Sequence, residues 1–358
     1  MLLSLLARFT PLHEAKSAAE REAIYRFRYS IYGKELRREY PGNDPAREML
    51  AQTEDELPES RLWYTGTAKE ITATSRARVW ERPPPEVVEE LSLQRVPPMK
   101  IAYLERTMVR PTLRGRLLFA SILWHGYERL MQEGVELCVL TCVPGLARHY
   151  VRLGARPYGA RLVEGASSAE LPLMIVMNDV AHLERVGSFM YPRMKALARP
   201  YDPAPLLPLF TAPQPVTFEP EAVTAELLRT PSTALAGLSP ASLRRLARGA
   251  FILEIEPGEL LVRKGTADRE MYVVLQGELS VEGGARIGPG EPMGEMAFLG
   301  TPGLRTATVH ASQPSRLLVL RRRFLDELAK TDLHAAYTVA RNLARVAADR
   351  FFAERART

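Results

Sequence analysis

The sequence predicts an α+β chain of two domains: a mixed α/β unit, then a small antiparallel barrel or jelly roll flanked by helices. Three observations carry this. The 358 residues suffice for about two domains at roughly 150 residues each. Seven prolines fall between Pro200 and Pro220, a density at which neither a helix nor a central strand continues. The texture changes across that cluster, from strand–helix alternation to short strands cut by turns. The domains are therefore placed at 1–198 and 229–358, with a Pro-rich linker over 199–228.

Each element has its own reason. Ala18, Ile24, Phe27 and Ile31 recur at helical spacing and predict an amphipathic helix over 14–32. Residues 61–67 and 71–80 read as a hairpin around Lys69 and Glu70. A strand over 100–109 runs through a turn into a helix over 116–133, with Leu117, Ala120, Ile122, Leu123, Tyr127 and Leu130 on its apolar side. A second strand, 136–143, and a short helix, 146–153, follow, the helix ending at Gly154. Strand, helix, strand in that order implies a crossover between neighbouring strands. After the prolines, strands are expected at 251–255, 260–263, 271–275 and 278–282, with turns every 8–12 residues. Helices at 239–248 and 333–353 flank them.

Composition removes several function classes. Apolar residues make up 46% and charged residues 25%, as in an ordinary globular chain. The net charge is +6, and 41 of the 48 basic residues are arginine. The charge is spread along the chain and not gathered on one element, so no nucleic acid is expected as a partner. Two cysteines, Cys138 and Cys142, exclude a disulfide scaffold and read as buried small hydrophobes. No apolar run reaches the ~20 residues of a membrane span. The opening Met-Leu-Leu-Ser-Leu-Leu-Ala-Arg lacks the basic n-region of a signal peptide. A reducing cytoplasm is expected. His125 and His149 have no ligand set around them, and no metal is expected. Arg321–Arg323 reads as a solvated turn.

Two segments carry chemistry. In the second domain, Met293-Gly-Glu-Met-Ala-Phe-Leu-Gly precedes Arg305 by a short loop. A helix beginning at Gly294 and Glu295 offers backbone N–H groups, and Arg305 adds a guanidinium, so one anion can be held by both. Glu295 would repel a second phosphate but suits a ribose hydroxyl. In the first domain, Arg114-Gly115 follows a strand and opens a helix, a phosphate-cradling arrangement. Glu105, a carboxylate on that strand, is a candidate proton acceptor. The Met108–Val109 backbone at the strand's end is a candidate source of N–H donors for a developing oxyanion. Glu105 and Arg106 could equally pair with neighbours on the sheet, and Tyr150 could be a plain core aromatic.

The cassette from Met293 to Val309, with Pro257-Gly-Glu, Gly265 and Tyr272-Val-Val-Leu-Gln-Gly277 upstream, resembles the cyclic nucleotide-binding domain family across about 232–355. That resemblance implies cyclic AMP or cyclic GMP as effector. It implies Arg305 on the cyclic phosphate, Glu295 on the ribose 2′-hydroxyl, and Gly294, Met296 and Ala297 in the cassette against the sugar-phosphate. Thr306 would face the base. The chain's end at Thr358 leaves the expectation that this domain reports to the N-terminal half and not to a helix-turn-helix.

The N-terminal half resembles the GNAT acyltransferase fold over about 15–190. Within it, the autoinducer synthase and N-acyl amino acid synthase branch is the more similar. The resemblance rests on Tyr25-Arg-Phe-Arg-Tyr-Ser-Ile-Tyr32, Glu54-Asp-Glu-Leu57, the Arg106–Gly115 strand and loop, and Pro144 through Tyr150 to Gly154. It implies that Met108, Val109, Arg114, Gly115 and Arg116 bind the acyl donor. Tyr150 would return a proton to the leaving thiolate, and Arg106 would hold an acidic group. The usual acetyl-CoA loop glycines are replaced by Leu117 and Phe119, which favours acyl carrier protein over CoA as donor. Tyr103 stands where the branch keeps a Glu, and Glu105 lies two residues on, hence on the same strand face.

The expected function is a cyclic-nucleotide-regulated N-acyltransferase acting on an amine such as an amino acid. The alternatives are a cyclic-nucleotide-controlled protein-lysine acetyltransferase and a non-catalytic sensor. The expected partners are the cyclic nucleotide and acyl carrier protein, with a homodimer left open.

Overall fold

A computed structural model of the chain describes residues 10–111, 116–159, 161–165, 168–267, 270–300 and 303–355. The chain forms two compact units. The N-terminal unit comprises 1–142, 147–159 and 171–213; the C-terminal unit comprises 143–146, 160–170 and 214–358.

The N-terminal unit opens with β1 (Leu12–Glu14) and α1 (Ala18–Tyr29). The helix begins later than the apolar period suggests because Ser17 and Glu20 form a capping box. The Ser17 hydroxyl accepts from the Glu20 amide, and the Glu20 carboxylate accepts from the Ser17 amide. A π-helical turn at Ser30–Glu35 follows. The hairpin is β2 (Ser60–Thr67) and β3 (Glu70–Trp80). After α2 (Pro85–Glu90) come β4 (Ile101–Val109), α3 (Arg116–Gln132), β5 (Leu137–Cys142) and α4 (Ala147–Val151). Two strands absent from the sequence reading close the sheet: β6 (Arg156–Pro157) and β7 (Ala169–Val176). The strand order is β1-β2-β3-β4-β5-β7-β6.

Among the described residues, β4 and β5 alone run parallel; α3 is their crossover, as expected. Leu137, Val139, Tyr103, Tyr158 and Met174 fill the core on one side of this sheet. Cys138 and Cys142 are buried, as their strand face requires.

The proline-rich stretch is less of a linker than its composition suggests. It contains α5 (Leu207–Thr211), β8 (Val216–Thr217) and α6 (Pro220–Arg229). Pro208 and Pro220 sit in first helical turns, where a missing N–H costs nothing.

The C-terminal unit continues with α7 (Pro240–Ala247), β9 (Phe251–Ile255), β10 (Leu260–Val262), β11 (Glu270–Gln276), β12 (Leu279–Val281), β13 (Arg286–Ile287) and β14 (Pro292–Met293). Then follow α8 (Glu295–Leu299), β15 (Val309–Ala311), β16 (Ser315–Arg321), α9 (Arg322–Thr331) and α10 (Leu333–Arg355). Two antiparallel sheets result, ordered β8-β9-β16-β11-β14 and β10-β15-β12-β13. Ile252, Met271, Val273 and Leu318 face Leu246, Val339 and Leu343 of the flanking helices in one buried cluster.

Arg321–Arg323 is not a solvated turn. It carries the chain from β16 into α9: Arg321 faces Glu270 at 3.5 Å, and Arg322 donates to the Gly300 carbonyl at 2.9 Å. No helix among the described residues is long and apolar enough to cross a membrane.

Candidate functional site

The C-terminal cradle is built by a sharp turn and a pinned arginine. Gly294 ends β14 and caps α8 with φ 86°, a left-handed conformation that glycine adopts without cost. Its missing side chain matters in space as well. A Cβ there would collide with the Arg305 guanidinium and stand 3.1 Å from the Glu270 carbonyl oxygen. Arg305 is buried. Its backbone is fixed by two hydrogen bonds: the Gly265 amide donates to the Arg305 carbonyl (2.8 Å), and the Arg305 amide donates to the Thr266 carbonyl (2.9 Å). The guanidinium lies 5.7 Å from the centre of the buried Tyr272 ring, within cation–π reach.

Gly294 and Arg305 are thus brought together, with Glu295 and Ala297 buried beside them. Met296 and Thr306 are exposed. The Glu295 carboxylate accepts from Arg350 of α10 (2.8 Å), and Arg350 also donates to the Pro292 carbonyl (2.7 Å). Nothing in the cassette signals Arg350, which lies 55 residues beyond Glu295.

The N-terminal site forms where two parallel strands part. β4 and β5 pair from Ile101↔Leu137 to Leu104↔Leu140. Beyond that, β4 stays with β3 as far as Val109, and β5 stays with β7 as far as Cys142. At the parting point β4 bulges: Arg106 and Thr107 together oppose Ser75, and Arg106 takes φ 51°. A non-glycine residue held there stores about 1–3 kcal/mol of strain, and bulges commonly re-aim side chains beside functional sites. Arg106 donates to Gln52 (2.8 Å), and its guanidinium lies 4.2 Å from the Tyr40 ring centre and 6.0 Å from that of Tyr32. Burial would lower its pKa, but these rings and Glu105 outweigh it and raise it.

Glu105 is clamped. Arg76 stands opposite it on β3 and donates from Nε (3.2 Å) and Nη2 (3.0 Å); Arg78 donates at 2.7 Å. Burial raises its pKa, but Arg76 and Arg78 prevail and hold it below the usual carboxylate range. That makes it a weak proton acceptor, against the expectation of a general base; the alternative of pairing on the sheet is the one realised.

The lattice extends inward. Arg76 also donates to Asp55 (3.0 Å), and the fully buried Arg28 donates to both Asp55 oxygens at 2.8 Å. Burial would raise Asp55, but Arg28 and Arg76 hold it down. Arg28, Arg76 and Arg78 are buried and Arg106 is half-buried, facing the two carboxylates Asp55 and Glu105. Glu54 also faces Arg76, at 3.9 Å, so the guanidinium groups are met by carboxylates on several sides, and each buried charge is expensive unless its partners offset it. Glu90, exposed at the end of α2, senses this cluster; partial desolvation and then the Glu105 charge raise its pKa.

Tyr150 is buried on α4, edge-on to Phe119 at 5.8 Å. Tyr103 is buried as well, and Arg78 lies 5.3 Å from its ring centre. Met108 and Val109 are buried at the end of β4. Arg114 and Gly115 lie outside the described residues; Arg116 opens α3, and its side chain lies outside them too. Sequence reasoning missed Arg28, Asp55, Arg76, Arg78, Gln52 and Glu90. The alternation of Arg76 and Arg78 on one strand face was the available signal.

Residues 252–332 match the family described as the cyclic nucleotide-binding domain. This matched segment contains the Gly294–Arg305 cradle. Among solved structures, the chain is similar to a cyclic nucleotide-binding protein from Geobacter metallireducens GS-15, at 16% identity and TM-score 0.31. That alignment covers 37% of this chain and 98% of that one. A cyclic nucleotide-binding domain from Methylobacillus flagellatus KT is similar at 23% identity and TM-score 0.32, covering 38% and 81%. A CoA-dependent acyl-homoserine lactone synthase is similar at 14% identity and TM-score 0.41, covering 52% and 99%. No curated protein matches the chain.

Proposed function

We propose that this protein is an N-acyltransferase whose activity is set by a cyclic nucleotide bound at Arg305. For the effector, the support is the family match across the cradle, with the buried Arg305 guanidinium set directly against the bare Gly294 turn. For the catalytic half, the support is the parting of β4 and β5 at the Arg106 bulge. That slot can admit an extended pantetheine arm, and the strand backbone at Met108 and Val109 is left to donate to a developing oxyanion.

In this reading the acceptor amine attacks the thioester carbonyl, and the C–S bond breaks. The amine's proton passes to a carboxylate. Glu90, an exposed carboxylate coupled to Glu105 and Arg78, is the candidate for that role, because Glu105 is held by two arginines. Glu105 then works within the arginine clamp, ordering Arg76 and Arg78 beside Arg106. Tyr150 supplies the proton to the leaving thiolate. Arg106, which donates to the neutral amide oxygen of Gln52, can hold a carboxylate on the acceptor, an amino acid being the simplest such amine. Arg114, Gly115 and Arg116 serve the donor's phosphate, and acyl carrier protein is the donor the loop favours.

The test is a bacterial host expressing wild type, Arg106→Ala and Arg305→Ala. Organic extracts are compared by mass spectrometry, and cell lysates are assayed for acyl transfer with and without cyclic AMP or cyclic GMP. New N-acylated amines in the wild type, lost in Arg106→Ala, are expected. Arg305→Ala should keep basal transfer and lose its nucleotide dependence. One observation favours a second reading, a non-catalytic sensor: Glu105 is tied up by two arginines. Nucleotide binding with no new acyl product in any strain would decide for it.

A further inference from the structure

Glu270 stands at a junction inside the C-terminal unit. It opens β11 and is 5% exposed. Its backbone lies against the nucleotide cradle: its carbonyl oxygen is 3.1 Å from where a Gly294 Cβ would stand, beside the Arg305 guanidinium. Its side chain points elsewhere. It faces Arg321 at 3.5 Å and fills the space over Gly145, where a Cβ would collide with the Glu270 carboxylate. Gly145 belongs to the short piece 143–146 that folds into this unit. The turn Pro144–Leu146 is buried at Pro144 and Gly145 and packs along β16. The same piece connects β5, which ends at Cys142, to α4, which carries Tyr150.

We propose that Glu270 is the relay through which the nucleotide cradle governs the 143–146 turn and, by chain continuity, α4. This rests on the reading of Gly294–Arg305 as a cyclic nucleotide site and deepens it by naming how occupancy is passed on. An anion taken up by Arg305, whose guanidinium lies against Gly294 and the Glu270 carbonyl, loads the backbone of β11 at Glu270. A buried side chain in a close-packed interior has no slack to absorb that displacement. The glycine at 145 leaves the carboxylate in direct contact with the turn's backbone, so the two move together. Packed contacts of this kind switch between discrete arrangements and do not deform gradually.

Hydrogen–deuterium exchange of the full chain reads the relay, with and without saturating cyclic AMP or cyclic GMP. Calorimetry on the same samples reports binding. In the wild type, nucleotide should change exchange across 143–151 by about fivefold or more. In Glu270→Ala the nucleotide should still bind, since Arg305 and Gly294 are intact, and the change at 143–151 should vanish. Gly145→Ala crowds the contact from the turn's side and leaves β11 untouched. Because coupling is reciprocal, it should shift nucleotide affinity by about fivefold. Bound nucleotide with unchanged exchange at 143–151 in the wild type would overturn the relay. A response retained in Glu270→Ala would do the same, as would unaltered affinity in Gly145→Ala. A blank calorimetric trace for both nucleotides in the wild type would instead remove the nucleotide reading, and the relay with it.

Discussion

The two charged sites solve one problem, a buried arginine, in opposite ways. In the C-terminal unit a single guanidinium, Arg305, is set between a bare glycine and an aromatic ring, with its backbone pinned to Thr266. In the N-terminal unit Arg28, Arg76 and Arg78 share Asp55 and Glu105 in one connected lattice. The first is the more local device: its glycine and arginine lie within twelve residues of each other, and Thr266 and Tyr272 join them from upstream. The second is assembled from α1, the segment after it, β3 and β4. Its parts need one another, because each charge is buried at a cost that only its partners offset. The cradle should therefore lose ligand binding when altered, whereas the lattice should lose its fold.

The largest expected effect tests the lattice. Asp55→Ala strands the fully buried Arg28, removes one carboxylate from Arg76 and should destabilise the N-terminal unit by about 3–5 kcal/mol. Trp63, Trp80 and Trp124 all lie in that unit, so denaturant unfolding followed by tryptophan fluorescence reports it alone. The same lattice sets an acid limit. Asp55 and Glu105 are held below their ordinary values, so the stability they confer is full above the unfolded carboxylate pKa near 4. It is lost as pH falls through their lower folded values. An acid titration on the tryptophan signal checks this, and a flat signal down to about pH 2 would contradict it.

Next in size is Arg305→Ala. Losing a buried charged partner should weaken cyclic nucleotide binding by about 2–5 kcal/mol, roughly 30-fold or more, with tryptophan-detected unfolding unchanged. Calorimetry and the unfolding curve together would sharpen the contrast; a fall in N-terminal stability would blur it. Gly294→Ala comes third. Its left-handed φ and the collision with Arg305 should cost about 1–3 kcal/mol, seen first as weaker nucleotide binding. The smallest is Tyr272→Leu, which removes the ring beside Arg305 and should cost about 0.5–2 kcal/mol of affinity. Tyr272→Phe should restore most of it, and failure to do so would place the effect in the hydroxyl.

Strand and helix periods were readable because each depends on residues close in sequence. The strand 251–255, the 60–80 hairpin and the β4–α3–β5 crossover follow from apolar spacing and turn residues. The Gly294–Arg305 cassette was readable for the same reason: one turn, one short helix and one return strand hold it. Helix α1 was overextended because the apolar period ignores a capping box, which starts a helix wherever its hydrogen bonds close. Composition alone misjudged the prolines of 199–228, since proline breaks a helix interior but starts a helix well.

What the sequence by itself determined is the order of the elements, the change of texture near residue 200 and the turn that sets Gly294 ahead of Arg305. Only the tertiary structure decided what each charge does. Glu105 became a clamped partner and not a free base because β3 presents Arg76 and Arg78 to its face of the sheet. Arg350 came to Glu295, and Glu270 came to Gly145, across separations that no local pattern encodes. The physical reason is that propensity and periodicity act over a few residues. The energy of a buried charge is set by whichever groups the finished fold brings within a few ångströms of it.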